Sequence, residues 1–258
     1  MKRWLVLFRK ELLESWRTSR WLWVPLVFAV LGALQPLTSH FMPQILEAAG
    51  GLPEGAVIEI PPPTPGAAIA ASLNQIGTLG LLVLALVGMG AIAGERNAGT
   101  AALILVKPVS RPAYLLAKWA AYNLLMLAAL ILGQAAAWYY TDLLIGPVPA
   151  SDLVASTLIF ALWLSLVLTI LLAFGTVMRS PIAVAAATIG VVIALAALAA
   201  LPGEAMAWNP ARLAGLAALR LTTGASDGVI LPVITAVAAI VALIGTASVA
   251  LRLRPMIA

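Results

Sequence analysis

The sequence predicts an all-α polytopic membrane protein with six transmembrane helices, and three observations carry that expectation. Hydrophobic residues make up 63% of the chain and charged residues only 10%, where a soluble domain carries roughly 25% charged residues. The apolar residues gather into six runs of about 20 residues or more, the length that crosses a bilayer core as a helix. Lysine and arginine collect in alternate connections between those runs, as they do when one set of loops stays cytoplasmic. The mean hydropathy of +1.06 agrees with this class. The chain divides into an interface helix at residues 1–20 and a single transmembrane domain over 21–258.

Residues 1–20 carry Lys2, Arg3, Arg9, Lys10, Arg17 and Arg20. Wound as a helix, Trp4, Leu5, Phe8, Leu12 and Trp16 share one arc and the basic residues a neighbouring one. Glu14 stands one turn from both Lys10 and Arg17, spacing that supports helix through ion pairs. The pattern is that of an amphipathic helix in the headgroup plane, with Trp4, Phe8, Arg9, Lys10, Glu14, Trp16 and Arg17 as its interface residues. The competing reading is a basic flank that only orients the first span. A cleaved signal peptide fits poorly, because the charged region is long and no small-residue cleavage site closes the apolar run.

The first span is expected at about 21–41. Residues 42–66 hold three glutamates, no basic residue and six prolines, a composition that favours an extended, solvated loop. The second span, about 67–93, runs into the charged stretch Gly94–Arg111. The third, about 114–140, begins with Lys118 near enough to the interface for its ammonium to snorkel. A turn with Gly146, Pro147 and Pro149 leads to the fourth span at about 153–178. Arg179-Ser180-Pro181 then turns the chain into the fifth, about 182–201, and the sixth is at about 229–251. Residues 202–228 include an apolar run, Pro210–Arg220, too short to cross. A re-entrant piece and an amphipathic surface helix both fit it. Trp21, Trp23, Trp138, Tyr139, Tyr140 and Trp208 stand near expected interfaces.

Counting basic residues orients the chain. With both termini cytoplasmic, thirteen of the fifteen lysines and arginines lie inside, and only Arg212 and Arg220 outside. Seven of the ten acids lie outside. The basic excess therefore records topology, and no nucleic-acid partner is expected.

The chemistry of an enzyme is missing from the sequence. There is no cysteine, no G-x-x-x-x-G-K-[ST] phosphate loop and no G-x-S-x-G elbow. Gly88, Gly90 and Gly94 sit in an apolar span and read as helix-packing glycines. His40, the one histidine, has no second metal ligand near it. No catalytic residue, metal or cofactor is expected. Ionisable groups that would couple protons or sodium are nearly absent from the spans. Their polar residues, Asn74, Gln75, Thr78, Asn123, Gln134 and several threonines, suit helix-to-helix hydrogen bonds.

The stretch between spans 2 and 3 has the makeup of a docking element. Glu95 would face the positive end of a short helix, and Gly99 would let the backbone turn. Leu103, Leu105 and Val106 would supply an apolar contact face. Lys107 and Arg111 would hold the headgroup plane or meet acids on a partner, and Pro108 would end the helix. A merely solvated loop, kept cytoplasmic by its charge, accounts for the same residues.

Gly94-Glu95-Arg96-Asn97-Ala98-Gly99-Thr100, then Leu103, Leu105, Pro108-Val109-Ser110-Arg111 and Lys118, resembles the signature of the membrane-spanning permeases of ATP-binding-cassette (ABC) transporters of the type-2 export class. Arg9-Lys10-Glu11-Leu12 with Arg17 resembles the N-terminal helix of that family. The resemblance implies a permease of an exporter in the cell membrane. It makes 94–111 a cytoplasmic coupling helix docked on a separate ATPase subunit, with Glu95, Arg96, Gly99, Thr100, Leu103, Leu105, Lys107, Pro108 and Arg111 as its coupling residues. It further implies two ATPases, a second permease, an extracellular re-entrant piece between spans 5 and 6, and contact with membrane lipids. An identical second permease needs the fewest assumptions. The alternative from a different class is a membrane scaffold that anchors a cytoplasmic complex and moves no solute. A neighbouring gene for an ABC ATPase would favour the transporter. The cargo is left open among lipids, hydrophobic drugs, antimicrobial peptides and glycan-lipids.

Overall fold

The computed structural model describes residues 2–48, 63–98, 110–201 and 206–253. Every regular element among them is helical. Helix α1 covers Lys2–Arg17 and α2 covers Arg20–Ala48. A second long run, α3, covers Pro65–Asn97. It is followed by α4 (Arg111–Leu144), α5 (Ala150–Val177) and α6 (Pro181–Ala199). A short α7 (Arg212–Thr223) and a long α8 (Ile230–Leu253) complete the chain. Six of these, α2 to α6 and α8, are long and apolar enough to cross a membrane. The protein is an all-α, six-span membrane protein.

Local chemistry explains where the helices begin. Thr64 caps α3 by accepting from the Ala67 N–H at 3.3 Å, with Pro65 at the first helical position. Ser180 caps α6 the same way, accepting from Ala183 N–H at 3.4 Å ahead of Pro181. A hydroxyl satisfies a donor that the helix leaves free, and proline suits the position whose N–H has no partner. Between α1 and α2 the chain reverses at Ser19, which holds a left-handed φ of 56°. Helix α2 runs on through Pro36 and Pro43 to Ala48, past the break expected at Phe41. Proline is tolerated in such a helix when neighbours re-satisfy the freed carbonyls.

Helix α3 is 33 residues long and α4 is 34, about 50 Å each at 1.5 Å per residue. Both exceed a bilayer core of about 30 Å and project beyond it. A π-helical turn at Ile76–Gly80 interrupts α3. The last turn of α3 carries Glu95 and Arg96, residues that the sequence reading put in a loop. Ala91–Asn97 holds no proline, and Gly94 by itself does not stop the helix.

The centre of the bundle is made by close approaches of small residues. A Cβ placed on Gly32 of α2 would strike the Gly133 carbonyl of α4, and one on Gly133 would lie 2.8 Å from the Phe28 carbonyl. Ser72 of α3 donates to the Gly32 carbonyl at 2.9 Å, so three helices meet at this point. Small residues allow that contact without a hydrophobic drive between helices in lipid. On the other side, α5 packs against α3, α4, α7 and α8. Helix α7 is too short to cross, and lies at the end of the bundle where α3 begins. There Gly66 abuts the Leu221 carbonyl, and Arg220 pairs with Asp152 of α5 at 2.8 Å.

A candidate coupling site at the basic end of the bundle

The residues beside 99–109 are built into the end of the bundle that carries α1. Glu95 contributes two oxygens with separate partners. Its Oε1 lies 2.5 Å from Lys10 Nζ and 2.9 Å from Lys118 Nζ. Its Oε2 accepts from the Tyr114 hydroxyl at 2.5 Å. Lys118 in turn donates to both oxygens of Glu11 at 2.9 Å, and its ammonium lies 5.2 Å from the centre of the Tyr114 ring. Lys10 also reaches Glu11 and Glu14, each at 3.0 Å. One ion cluster thus joins α1, the last turn of α3 and the first turns of α4.

Burial grades this cluster from core to rim. The side chains of Lys118 and Glu11 are 2% and 5% exposed, that of Glu95 is 11%, and those of Lys10 and Glu14 are 38% and 45%. Two ammonium groups therefore face two buried carboxylates, with Glu14 at the wet edge. Charges out of water persist only when paired and hydrogen-bonded, a condition each of these meets. Glu95 has a further reason to need cations. A carboxylate at a helix C-terminus meets the negative end of the helix dipole, and Lys10 and Lys118 offset that. Burial pulls the Lys10 ammonium down, but the Glu95, Glu11 and Glu14 carboxylates outweigh it and hold it above the ordinary lysine value. The three carboxylates come within 4.8 Å of one another. With two ammonium groups already among them, the arrangement is an ion cluster rather than a cation cage.

The neighbours of Glu95 tie the same region to the other helices. Arg96 donates to the Thr176 carbonyl at 2.9 Å, at the end of α5. Asn97 donates to the Arg179 carbonyl at 3.0 Å, in the turn between α5 and α6. On the far side, Arg111 donates to the Leu251 carbonyl at 2.6 Å, at the end of α8. Cationic side chains satisfy the carbonyls that helix C-termini leave without partners. The last turn of α3 and the start of α4 are thereby joined by side-chain contacts to α1, α5 and α8.

Glu95, Arg96 and Arg111 lie at this site and face into the bundle. Gly99, Thr100, Leu103, Leu105, Lys107 and Pro108 fall outside the described residues. Glu95 closes a long helix instead of opening a short one, which reverses the dipole argument made from the sequence. Lys118 does not snorkel, because Glu11 and Glu95 satisfy its ammonium inside the protein. In α1, Lys10 and Glu14 form the expected pair, and Trp4 stacks on Phe8 with ring centres 5.3 Å apart. Arg9, Trp16 and Arg17 are exposed.

Helix α1 has an unusual polarity. Its buried line runs through Glu11 and Ser15, while Leu5, Val6, Leu13 and Trp16 point outward. Apolar outer residues beside exposed Arg9 and Arg17 suit the headgroup interface. Apolar grooves of about 440 and 430 Å³ flank the helix, the first lined by Arg9, Leu12, Leu13, Trp16, Trp21 and Leu124.

Glu11, Tyr114 and Lys118 were not among the site residues read from the sequence. A signal for Lys118 was present: a charge inside an apolar run demands a partner. Which acid supplies it depends on a contact across 107 positions, beyond the reach of local periodicity.

Residues 5–215 match the family model described as ABC-2 family transporter protein. The chain is also 34% identical over 213 residues to the uncharacterized transmembrane protein YxlG of Bacillus subtilis (strain 168), a match covering 83% of each chain. The Lys10, Glu11, Glu95 and Lys118 side chains that the sequence ties to type-2 permeases thus converge on one cluster, in a chain that belongs to the ABC-2 transporter family.

Proposed function

We propose that this chain is the permease subunit of an ABC exporter in the cell membrane. It forms the substrate pathway and takes its energy through the segment 94–111 from a separate ATPase, which docks against residues 99–109 while Glu95, Arg96 and Arg111 anchor that segment to the bundle. The observation that carries this reading is the way both flanks of 99–109, the end of α3 and the start of α4, are fastened to α1 and to the C-terminal ends of α5 and α8. A solvated connecting loop has no need of such fastening; a segment that receives force does. The basic end of the bundle is cytoplasmic on the count of lysines and arginines, so both termini face the ATPase. Catalysis of ATP hydrolysis belongs to that partner, and this subunit is not itself an enzyme. Two permeases, identical by the simplest symmetry, work with two ATPases.

The test is co-expression with the ABC ATPase encoded nearest to its gene, followed by purification through a tag on the permease. The ATPase is expected to co-purify, and Leu103→Ala with Leu105→Ala to remove it from the complex. Retention of the ATPase by that variant would move the docking face elsewhere. Recovery of some other cytoplasmic complex, with no ATPase in it, would favour the anchoring role.

A further inference from the structure

We propose that Lys10, Glu11, Tyr114 and Lys118 are positioning residues for coupling: they clamp the interfacial helix α1 to the base of the coupling segment through Glu95. The inference rests on the permease reading above and adds to it a working part outside the docking segment. In this account α1, the last turn of α3 and the first turns of α4 move as one body.

Three observations lead there. The first is the economy of the cluster. Buried ion pairs stabilise a fold poorly, and well-packed apolar residues of similar volume often do better. What the cluster supplies is directional contact. The two oxygens of Glu95 are held from different sides, Oε1 by Lys10 and Lys118 and Oε2 by Tyr114, which fixes the rotation of the last α3 turn. The second is the polarity of α1. Its outward side mixes apolar Leu5, Val6, Leu13 and Trp16 with basic Arg9 and Arg17, a combination that seats a helix in the headgroup plane, so the membrane interface resists its lifting while the cluster holds its inner face. A helix seated in this way is a fulcrum for the segment that follows Glu95. The third is placement. Lys118 lies seven residues after Arg111 on α4, about 10 Å along the helix, so the clamp grips both sides of the coupling segment close to where each leaves the bundle.

The chain contains no cysteine, which makes a reversible test direct. Lys10→Cys with Glu95→Cys removes the half-exposed link between α1 and α3. A short bis-thiosulfonate reagent can then restore a tie of similar length, and a reductant can remove it. The permease is co-purified with its ABC ATPase and reconstituted in phosphatidylethanolamine–phosphatidylglycerol vesicles. Two quantities are read: ATPase bound per permease, and the ATP hydrolysis gained on assembly.

With the link open, bound ATPase is expected to be unchanged and the gained hydrolysis to fall about tenfold, the size of a typical coupling free energy. Bridging should restore it and reduction should remove it again. Full hydrolysis with the link open, or low hydrolysis after bridging, overturns the clamp. Loss of bound ATPase also overturns it, by making these residues part of the docking surface. Should the double variant fail to fold, Lys10→Gln serves, because it leaves Glu95 with Lys118 and Tyr114; a severalfold loss supports the clamp and no loss overturns it. If the unsubstituted chain binds no ABC ATPase, the permease reading itself falls and the clamp's role falls with it.

Discussion

At the scale of single residues, the site is organised by where charge can be tolerated. Glu95 was legible as important, since it is the one acid between spans 2 and 3. The direction it faces was not legible, because that depends on α3 running four residues past Ala93. Lys10 makes a prediction about pH. Its folded value lies above the ordinary 10.5, so its stabilising contribution is fully present below pH 10.5 and is lost as pH rises through the folded value. The difference in thermal midpoint between the unsubstituted protein and Lys10→Gln should therefore stay constant from about pH 7 to about pH 10 and shrink only above that. A difference that faded near neutrality would place the stabilisation elsewhere. Gln134 makes the opposite kind of prediction. Its side chain is 2% exposed, yet neither amide atom has a hydrogen-bond partner. A buried polar group in that condition costs about 1–3 kcal/mol. Gln134→Leu should accordingly raise the unfolding midpoint in detergent, and a lower midpoint would show that the amide is satisfied in the folded protein.

At the scale of elements, apolar runs located the helices well and their ends less well. The six runs were readable because crossing a bilayer requires an uninterrupted apolar length. The ends were not, because helices continue past their apolar residues into polar ones, as α3 does through Glu95 and Arg96, whose side chains find partners on α1 and α5. The amphipathic character of α1 was readable too, but the face it turns inward was not. A helical wheel shows an apolar arc beside a basic one, whereas the inward line through Glu11 and Ser15 is set by partners on other helices, Lys118 of α4 above all. The packing of α2 on α4 depends on a pair of glycines whose partnership no local pattern reveals. Gly32→Ala should force these helices apart, at a cost of about 3 kcal/mol, measured by thermal unfolding. Gly90→Ala, where a Cβ meets nothing within 4 Å, should cost little or even stabilise by a few tenths of a kcal/mol. Equal effects of the two would contradict the packing described for α2 and α4.

At the scale of the whole molecule, the two ends of the bundle are built differently. At the α1 end, charged side chains fasten the end of α3 and the start of α4 to α1, α5 and α8. At the other end, α7 lies across the start of α3 and the pairing of Arg220 with Asp152 holds it. Burial is uneven around the bundle as well. Only 17% of the apolar window of α6 and 22% of that of α8 are buried, against 67% for α5, so the outer helices keep broad apolar faces uncovered by the rest of the bundle. The six-span class and the charge asymmetry were legible from composition and order alone. The ion cluster was not, since it brings together residues 10, 11, 95, 114 and 118 from three helices.

On the proposed function, the segment between α3 and α4 receives the work of an ABC ATPase. The most direct measurement replaces residues 99–109 with a glycine–serine linker of equal length, leaving Glu95, Arg96, Asn97 and Arg111 in place, and assays the ATPase that co-purifies with the permease. The account predicts a folded, membrane-inserted permease that has lost its ATPase. Full retention of the ATPase, with undiminished hydrolysis in vesicles, would contradict it.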